Sequence, residues 1–441
     1  MKILLVAPER AKWRQRYHLP KLGKALFPPL GLCYVAALTP KEINGEKVEI
    51  SLVDEAVSRL DLEAKVDLVA LTANTPAVPR AYEIAAHFRK RGVKVVLGGM
   101  HASACPEEAK RWVDAVCIGE AEGFWPELLV DFVKGRLESE YRCSEPPDIS
   151  RQPIPRRDLL NWKKYHFPKT VDAIRGCNKR CSFCSVWKFH GGRYRIRPVG
   201  EVIREIDQLQ KSHPLGPLIF VADNLTANKV WFLRLCERLG PLGLEWFCQA
   251  DTLALRDEAL VQAAGQAGCR VMFVGLESLS EENLRDLHKN FNIRAQIKEI
   301  VARLHRHGIA MIGAFIVGLD GDTPEVFQEI VQAVQTYQID AAQVAIWIPI
   351  PDTDDAQRLE AEGRILDRDW LNYDGNHAVF RPKKMTPWEL EAGQKNCYRQ
   401  LTTVKAIRER LRGQRGRHRV ISWGLNLAVR RRAQKWLTEG S

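Results

Sequence analysis

The sequence lacks any uninterrupted apolar run near the roughly 18–20 residues needed to cross a bilayer. The longest candidates, Phe27–Leu38 and Ala341–Pro351, are short and interrupted by proline. A leader peptide is not expected, because MKILLVAPER turns charged before an apolar core can form. An even set of cysteines is also missing. Eleven leave one unpaired, which argues against a complete disulfide framework and for a reducing compartment. Nor does the body of the chain carry a charge excess. The net charge is +12, but from Arg399 onward there are twelve Lys or Arg against two Glu, leaving 54 basic and 52 acidic residues elsewhere. With 45% hydrophobic and 27% charged residues over 441 positions, the composition is that of two or three ordinary domains. The expected location is the cytoplasm.

The first 135 residues alternate apolar runs with helical patterns. Strands are expected at Lys2–Pro8, Val48–Asp54, Leu68–Asn74, Lys94–Gly99 and Ala115–Glu120, with helices at Gly31–Leu38, Arg80–Arg91, Glu107–Trp112 and Trp125–Lys134. Near-continuous Val/Ile/Leu strands separated by helices read as a parallel sheet covered on both faces. Ligands of such sheets gather at the carboxyl ends of the strands. Those ends carry Pro8, Asp54, Thr72, Asn74, Thr75, Gly98, Gly99, His101, Gly119 and Glu120. Residues 136–168 read as a linker, with Trp162, Tyr165 and Phe167 expected to pack. From Thr170 the rhythm restarts with strands at Thr170–Arg175, Leu218–Asp223, Leu244–Ala250, Arg270–Leu276, Met311–Gly318 and Gln343–Ile350. Six βα units are too few for a closed eight-stranded barrel and suit a partial one with its chemistry at the C-terminal mouth. The expected fold class is therefore α/β. A doubly wound, flavodoxin-like domain spans 1–135 and a linker 136–168. A partial (βα)6 barrel covers 169–360, and a mainly helical region with a basic tail covers 361–441.

The string GCNKRCSFC places Cys177, Cys181 and Cys184 directly after the first barrel strand. A structural zinc site wants four ligands, with His190 the nearest further candidate. An iron–sulfur cluster ordinarily takes four cysteines, so three leave one iron open to a substrate or cofactor. The position at the catalytic face favours the open cluster. The spacing C-x3-C-x-aromatic-C, with Phe183 as the aromatic, resembles the signature of the radical S-adenosylmethionine (SAM) superfamily. The resemblance covers about 170–350. It implies a [4Fe-4S] cluster on the three cysteines, SAM chelated at the open iron, and reductive cleavage to a 5′-deoxyadenosyl radical. It also implies an electron donor such as flavodoxin or ferredoxin. Asp223 and Asn224 in FVADN stand where the superfamily often has Gly-Gly-Glu binding the SAM amine, a departure from the common form. Glu277 and Ser278 in VGLES resemble its ribose-binding motif, and Gly313 and Gly318 in GAFIVGLDGDT its glycine motif.

Ahead of such a barrel, the N-terminal domain resembles a cobalamin-binding domain, on PPLGLCYVAAL, LTANT, LGGMHAS and CIGEAE. That resemblance implies cobalamin at the ten strand-end positions named above. The D-x-H-x-x-G motif that supplies a lower cobalt ligand is absent, and His18 in ERAKWRQRYHLPKLG lacks its partners. Cobalamin is accordingly expected base-off, without a lower histidine. The implied activity is methyl transfer to an unactivated carbon, one SAM recharging cob(I)alamin and another giving the radical. A cyclisation or rearrangement with the same cofactors is the first alternative. The tRNA methylthiotransferases share the architecture and place a second cluster on three N-terminal cysteines. Here Cys33 and Cys117 fall inside a helix and a strand, where packing is expected, and no terminal β-rich RNA-binding module follows. A zinc-containing nucleic-acid-binding protein is the remaining alternative, and nucleic acid is not the expected partner.

The C-terminal third resembles, loosely, enzymes acting on hopanoids and bacteriochlorophyll precursors, which implies a lipid or tetrapyrrole substrate. The tail Lys405–Trp436 mixes Arg with Ile421, Trp423, Leu425, Leu427, Val429 and Trp436. Such a helix suits peripheral contact with an anionic inner-membrane surface, contact with phosphates, or packing on the barrel.

Overall fold

A computed structural model describes residues 1–9, 24–213 and 215–439. The loop holding His18 lies outside the described residues. The first sheet contains β1 (Lys2–Ala7), β2 (Glu49–Asp54), β3 (Leu68–Thr72), β4 (Lys94–Gly98), β5 (Ala115–Ile118) and β6 (Glu140–Arg142). They lie side by side in the order β2-β1-β3-β4-β5-β6, all parallel. Side-chain alternation divides β1 cleanly. Leu4 and Val6 pack under one helical layer, while Ile3 and Leu5 pack under the other. The first layer centres on α1 (Val78–Lys90), whose Val78, Ala81, Tyr82, Ala85 and Phe88 are buried at helical spacing. Its last turn carries His87, Arg89 and Lys90, which complement the helix dipole. The second layer uses α2 (Leu30–Leu38) and α3 (Trp125–Val133), with Leu32, Ala36, Trp125, Leu128 and Leu129 in the core.

The second sheet is built from β7 (Thr170–Val171), β8 (Leu218–Phe220), β9 (Trp246–Ala250), β10 (Cys269–Glu277), β11 (Ala310–Val317) and β12 (Ala341–Ile346). Its order follows the chain, and every pairing is parallel. Helices α4 (Val199–Ser212), α5 (Lys229–Leu239), α6 (Glu258–Gln266), α7 (Arg294–Arg306) and α8 (Val326–Thr336) cover one face. On β11 the residues Met311, Phe315 and Val317 face those helices and are buried, while Ile312, Ala314 and Ile316 on the other face are half-buried. That second face lines the lumen of the partial barrel. The expected first strand Thr170–Arg175 is broken. After Val171 the chain turns, and Ile174–Arg175 pairs antiparallel with Arg195–Ile196, closing a hairpin around the cysteine loop.

The C-terminal region wraps the last strands. Helix α9 (Pro387–Leu401) begins with a capping box at Thr386 and Glu389, followed by α10 (Val404–Arg410) and α11 (Gly416–Glu439). On α11, Ser422, Asn426 and Ala433 are buried while Arg417, Arg419, Val420, Leu427, Arg431 and Arg432 are exposed. One face of the basic tail therefore packs on the barrel, and the other remains outside. No described helix is long and apolar enough to cross a membrane.

The domains meet through buried polar groups. Glu205 on α4 is fully buried and accepts hydrogen bonds from Arg157 of the linker and from Arg197 Nη1 at 2.6 Å. Arg197 also reaches the Tyr34 hydroxyl of α2 at 3.4 Å. Glu205→Ala would strand two buried guanidiniums, and the expected loss is about 3–5 kcal/mol of unfolding free energy. A urea titration measures it; a loss below about 1 kcal/mol, the range of exposed pairs, would contradict the account.

Candidate active site

Cys177, Cys181 and Cys184 lie on the loop that the hairpin closes. The loop leaves through Gly176 at φ +80°, where an added Cβ would stand 2.2 Å from the Arg193 carbonyl oxygen. Only glycine fits there. The Gly176 N–H donates to Asp223 Oδ2 at 3.0 Å, tying the loop to the end of β8. Ser182 anchors its middle. Its Oγ lies 3.1 Å from Asp355 Oδ2 and 3.3 Å from the Asp286 carbonyl oxygen.

Burial pushes the thiol of Cys181 up to about 11 and that of Cys184 to about 12, and it raises Cys177 as well. A metal centre that binds thiolates must displace these protons. The donor set discriminates between centres. Among the described residues, the one group of three His, Cys, Asp or Glu ligand atoms within 4.8 Å of one another is His305, Asp340 and His418. His190 is committed elsewhere, with Nδ1 2.8 Å from Glu120 Oε1 and Nε2 3.7 Å from Asp223 Oδ2. Three thiols on one loop, with His190 engaged elsewhere, suit a cluster with an open corner.

Around this loop the structure gathers most of the expected SAM residues. Asn224 is buried; it donates to Asp251 Oδ2 at 2.8 Å, accepts from Thr226 Oγ1 at 3.0 Å and faces the Cys177 thiol. Glu277 ends β10 at φ +62°, where the strand register shifts, and its carboxylate pairs with the buried Lys289. Asn292 holds this irregular end by donating to the carbonyls of Gly275 at 3.0 Å and Leu276 at 2.9 Å. Ser278 accepts from the Ser280 N–H at 3.1 Å. Phe183 sits 6.0 Å from the Lys289 ammonium. The two glycines are placed differently. A Cβ on Gly313 would meet Leu276 at 3.0 Å, and one on Gly318 would meet Leu390 at 2.7 Å. Gly313 lies on the helix-covered face of β11, and Gly318 follows the end of that strand at φ +89°.

The end of the first sheet faces the cysteine loop across a cleft of about 220 Å³. Ser103, Ala104 and Gly119 line one side, and Ser185, Lys188 and Phe189 the other. Small side chains and a glycine at φ +83° leave one wall open to close approach by a large ligand. Cys143, at the end of the unexpected sixth strand, also lines this cleft. Not every strand-end residue reaches it. Gly98 and Gly99 meet Cys117 and Thr72, the Gly99 Cβ position lying 2.8 Å from Thr72 Oγ1. Thr75 is buried against His101 Nδ1 at 3.3 Å. His101 is fully buried and points inward, its ring 5.1 Å from Trp370 and Nε2 3.5 Å from Glu108. Asp54 accepts from the Tyr165 hydroxyl at 3.0 Å, on the far side of the domain interface. Asn74 is exposed and Pro8 half-buried, and neither lines the cleft.

Glu120 is a cross-domain anchor. Its carboxylate accepts from Arg175 Nη1 at 2.7 Å, from Arg195 and from His190. Burial alone would raise its pKa, yet these three groups hold it down at about 2. Sequence reasoning placed Glu120 at the rim and missed its partners. The available signal was the run Arg175–Arg197, which has no acidic residue, set against CIGEAE.

Comparison with known proteins follows this geometry. Residues 171–334 match the family model of the radical SAM superfamily, and residues 24–129 match that of the B12 binding domain. The fold and site thus define a radical SAM enzyme with a second, cobalamin-binding domain. The B12-binding match comes first along the chain, and one match lies over each of the two sheets. It is 29% identical over 403 residues to the bacteriochlorophyllide d C-12(1)-methyltransferase of Chlorobaculum tepidum, covering 88% of this chain and 86% of that protein. It is 26% identical to the hopanoid C-2 methylase of Rhodopseudomonas palustris, covering 83% of this chain and 72% of that one. Among solved structures, the radical SAM methyltransferase TsrM from Kitasatospora setae, with cobalamin and a [4Fe-4S] cluster bound, superposes with a TM-score of 0.66 at 17% identity, covering 82% of this chain and 78% of that one. That likeness supports the fold.

Burial raises the pKa of Asp355 to about 6, against the opposing hydrogen bond from Ser182 and the charge of Arg358. A carboxyl raised above its ordinary value favours the fold while protonated. Its contribution is complete below about pH 4 and is lost as pH rises through about 6. Asp355→Asn keeps an acceptor for the Ser182 hydroxyl without the charge. The expected result is unchanged stability at pH 4 and a gain over the parent above pH 6, measured by thermal unfolding across pH. An equal shift at both pH values would contradict this reading.

Proposed function

We propose that this protein is a cobalamin-dependent radical SAM methyltransferase acting on an unactivated carbon of an apolar, ring-bearing or lipid-like small molecule. The observation that carries the proposal is the single cleft shared by the rim of the first sheet and the cysteine loop of the barrel. When bound, the cluster with SAM supplies a carbon-centred radical, and cobalamin supplies a transferable methyl group.

The chain's own residues have three tasks. Cys177, Cys181 and Cys184 hold the cluster, while Asn224, Glu277 and Ser278 orient SAM beside it. Ser103, Ala104 and Gly119 form the wall against which cobalamin rests. Glu120, through Arg175 and Arg195, fixes the distance between those two walls. The lumen offers the substrate an apolar surface from Phe273, Ile312, Ala314 and Ile316, with the exposed Gln249 and Gln343 as polar contacts. A lumen of this kind excludes water from a reactive intermediate. The methyltransferase relatives act on tetrapyrroles and hopanoids, which match that apolar lining. An anaerobic magnesium-protoporphyrin IX monomethyl ester cyclase from Rubrivivax gelatinosus is also 29% identical, so cyclisation is the second reading.

Incubation of the anaerobically reconstituted enzyme with methyl-labelled SAM and tetrapyrrole or hopanoid acceptors separates the two readings. Label in the product, absent with Cys177→Ala, Cys181→Ala or Cys184→Ala, is the expected outcome. Turnover that yields 5′-deoxyadenosine and an unlabelled product would overturn methyl transfer in favour of the cyclase.

A further inference from the structure

A second set of ligating side chains lies at the opposite end of the barrel from the cysteine loop. It joins Asp340, just ahead of β12, to His305 near the end of α7 and His418 on α11. His305 Nε2 stands 2.8 Å from Asp340 Oδ2, and His418 Nε2 stands 3.2 Å from Oδ1. The imidazole rings are 4.7 Å apart, centroid to centroid. One ligand atom from each of the three residues lies within 4.8 Å of the other two. Asp340 is fully buried, while both histidines are half-buried and reachable from solvent.

The hydrogen-bond count around Asp340 does not close with protons alone. Oδ2 also accepts from the Met311 N–H at 2.7 Å. Oδ1 also accepts from Gln414 Nε2 at 2.7 Å and from Ser422 Oγ at 2.6 Å. Five donors thus surround a carboxylate that offers about four lone-pair sites. The surplus contact is the long one, from His418. One cation shared by Oδ2 and the two Nε2 atoms closes the count. Oδ1 then serves Gln414 and Ser422, and Oδ2 serves Met311 and the ion. Gln414, Ser422 and Met311 become the outer hydrogen bonds that aim a ligating carboxylate. The nearby cation Arg410 donates to the Asp340 backbone oxygen at 3.3 Å, leaving the carboxylate to the imidazoles.

We propose that His305, Asp340 and His418 bind a divalent cation of the zinc class, with water completing its coordination. Two imidazoles and one carboxylate are a borderline donor set that suits zinc better than magnesium or calcium. The ion clips three segments far apart in sequence and holds the basic helix α11 against the base of the barrel. It is separate from the cysteine loop and from the chemistry proposed there.

The test uses the full-length chain with Cys177, Cys181 and Cys184 replaced by Ala, so that the cluster thiolates take up no zinc. After chelation and equilibration with zinc, this chain is expected to retain one equivalent more than the same chain carrying His305→Gln and His418→Gln. Those glutamines keep a donor toward Asp340. Equal zinc content in the two chains would overturn the proposal. A substitution-free check is anomalous diffraction at the zinc edge from zinc-soaked crystals of the unsubstituted enzyme. A peak between His305 and His418 supports the site, and its absence overturns it.

Discussion

A buried carboxylate sets the geometry of this molecule. Glu120 ends the last central strand of the first sheet and is ringed by Arg175, Arg195 and His190 of the barrel. Arg175 stands two residues before Cys177, and Arg195 lies on the partner strand of the hairpin that closes the cysteine loop. One interaction therefore sets how far the rim of the first sheet stands from the cysteine loop. The cost of burying Glu120 is offset by three partners held in fixed positions, and its carboxyl remains ionised well below neutral pH. Chemistry that passes a group between two cofactors depends on such fixed spacing, because small misplacements cost large factors in rate.

Much of this was legible in the sequence, for identifiable reasons. Parallel strands buried on both faces leave unbroken apolar runs, so KILLVA, LVALT and AMIGAFIV mark themselves. The cysteine loop is local, and its spacing survives any uncertainty in strand boundaries. Other features were not local. Glu140–Arg142 is too short and polar to show a period, yet it extends the first sheet and brings Cys143 to the cleft. His101 follows a glycine turn at the rim, but the helix start aims its ring inward, toward a Trp370 that is 269 positions away. Gly313 and Gly318 resemble a glycine motif flanking SAM, and what the string does not show is that an added Cβ there would meet Leu276 or Leu390, which arrive from other elements. In each case the deciding contact comes from a distant segment.

The C-terminal region has the same character. As a string, the tail is a basic helix with scattered aromatics, and several fates suit it. In the fold, a stripe through Ser422 and Asn426 converges on Asp340, with Asn426 Nδ2 donating to the Asp340 carbonyl oxygen at 2.7 Å. One acidic residue next to an edge strand thereby sorts the helix into a packed face and an exposed basic face. The barrel is polarised as a result. Its C-terminal mouth carries the cysteine loop and the cleft, and its base is closed by the tail.

The account stands on three thiolates that hold a cluster and leave one iron for SAM. Iron and zinc analysis of the anaerobically reconstituted chain, with electron paramagnetic resonance of the reduced protein before and after SAM addition, tests this most directly. Four irons per chain and a spectrum that changes on SAM binding are predicted. One zinc bound to the cysteine loop without iron, or a cluster whose spectrum ignores SAM, would contradict the account.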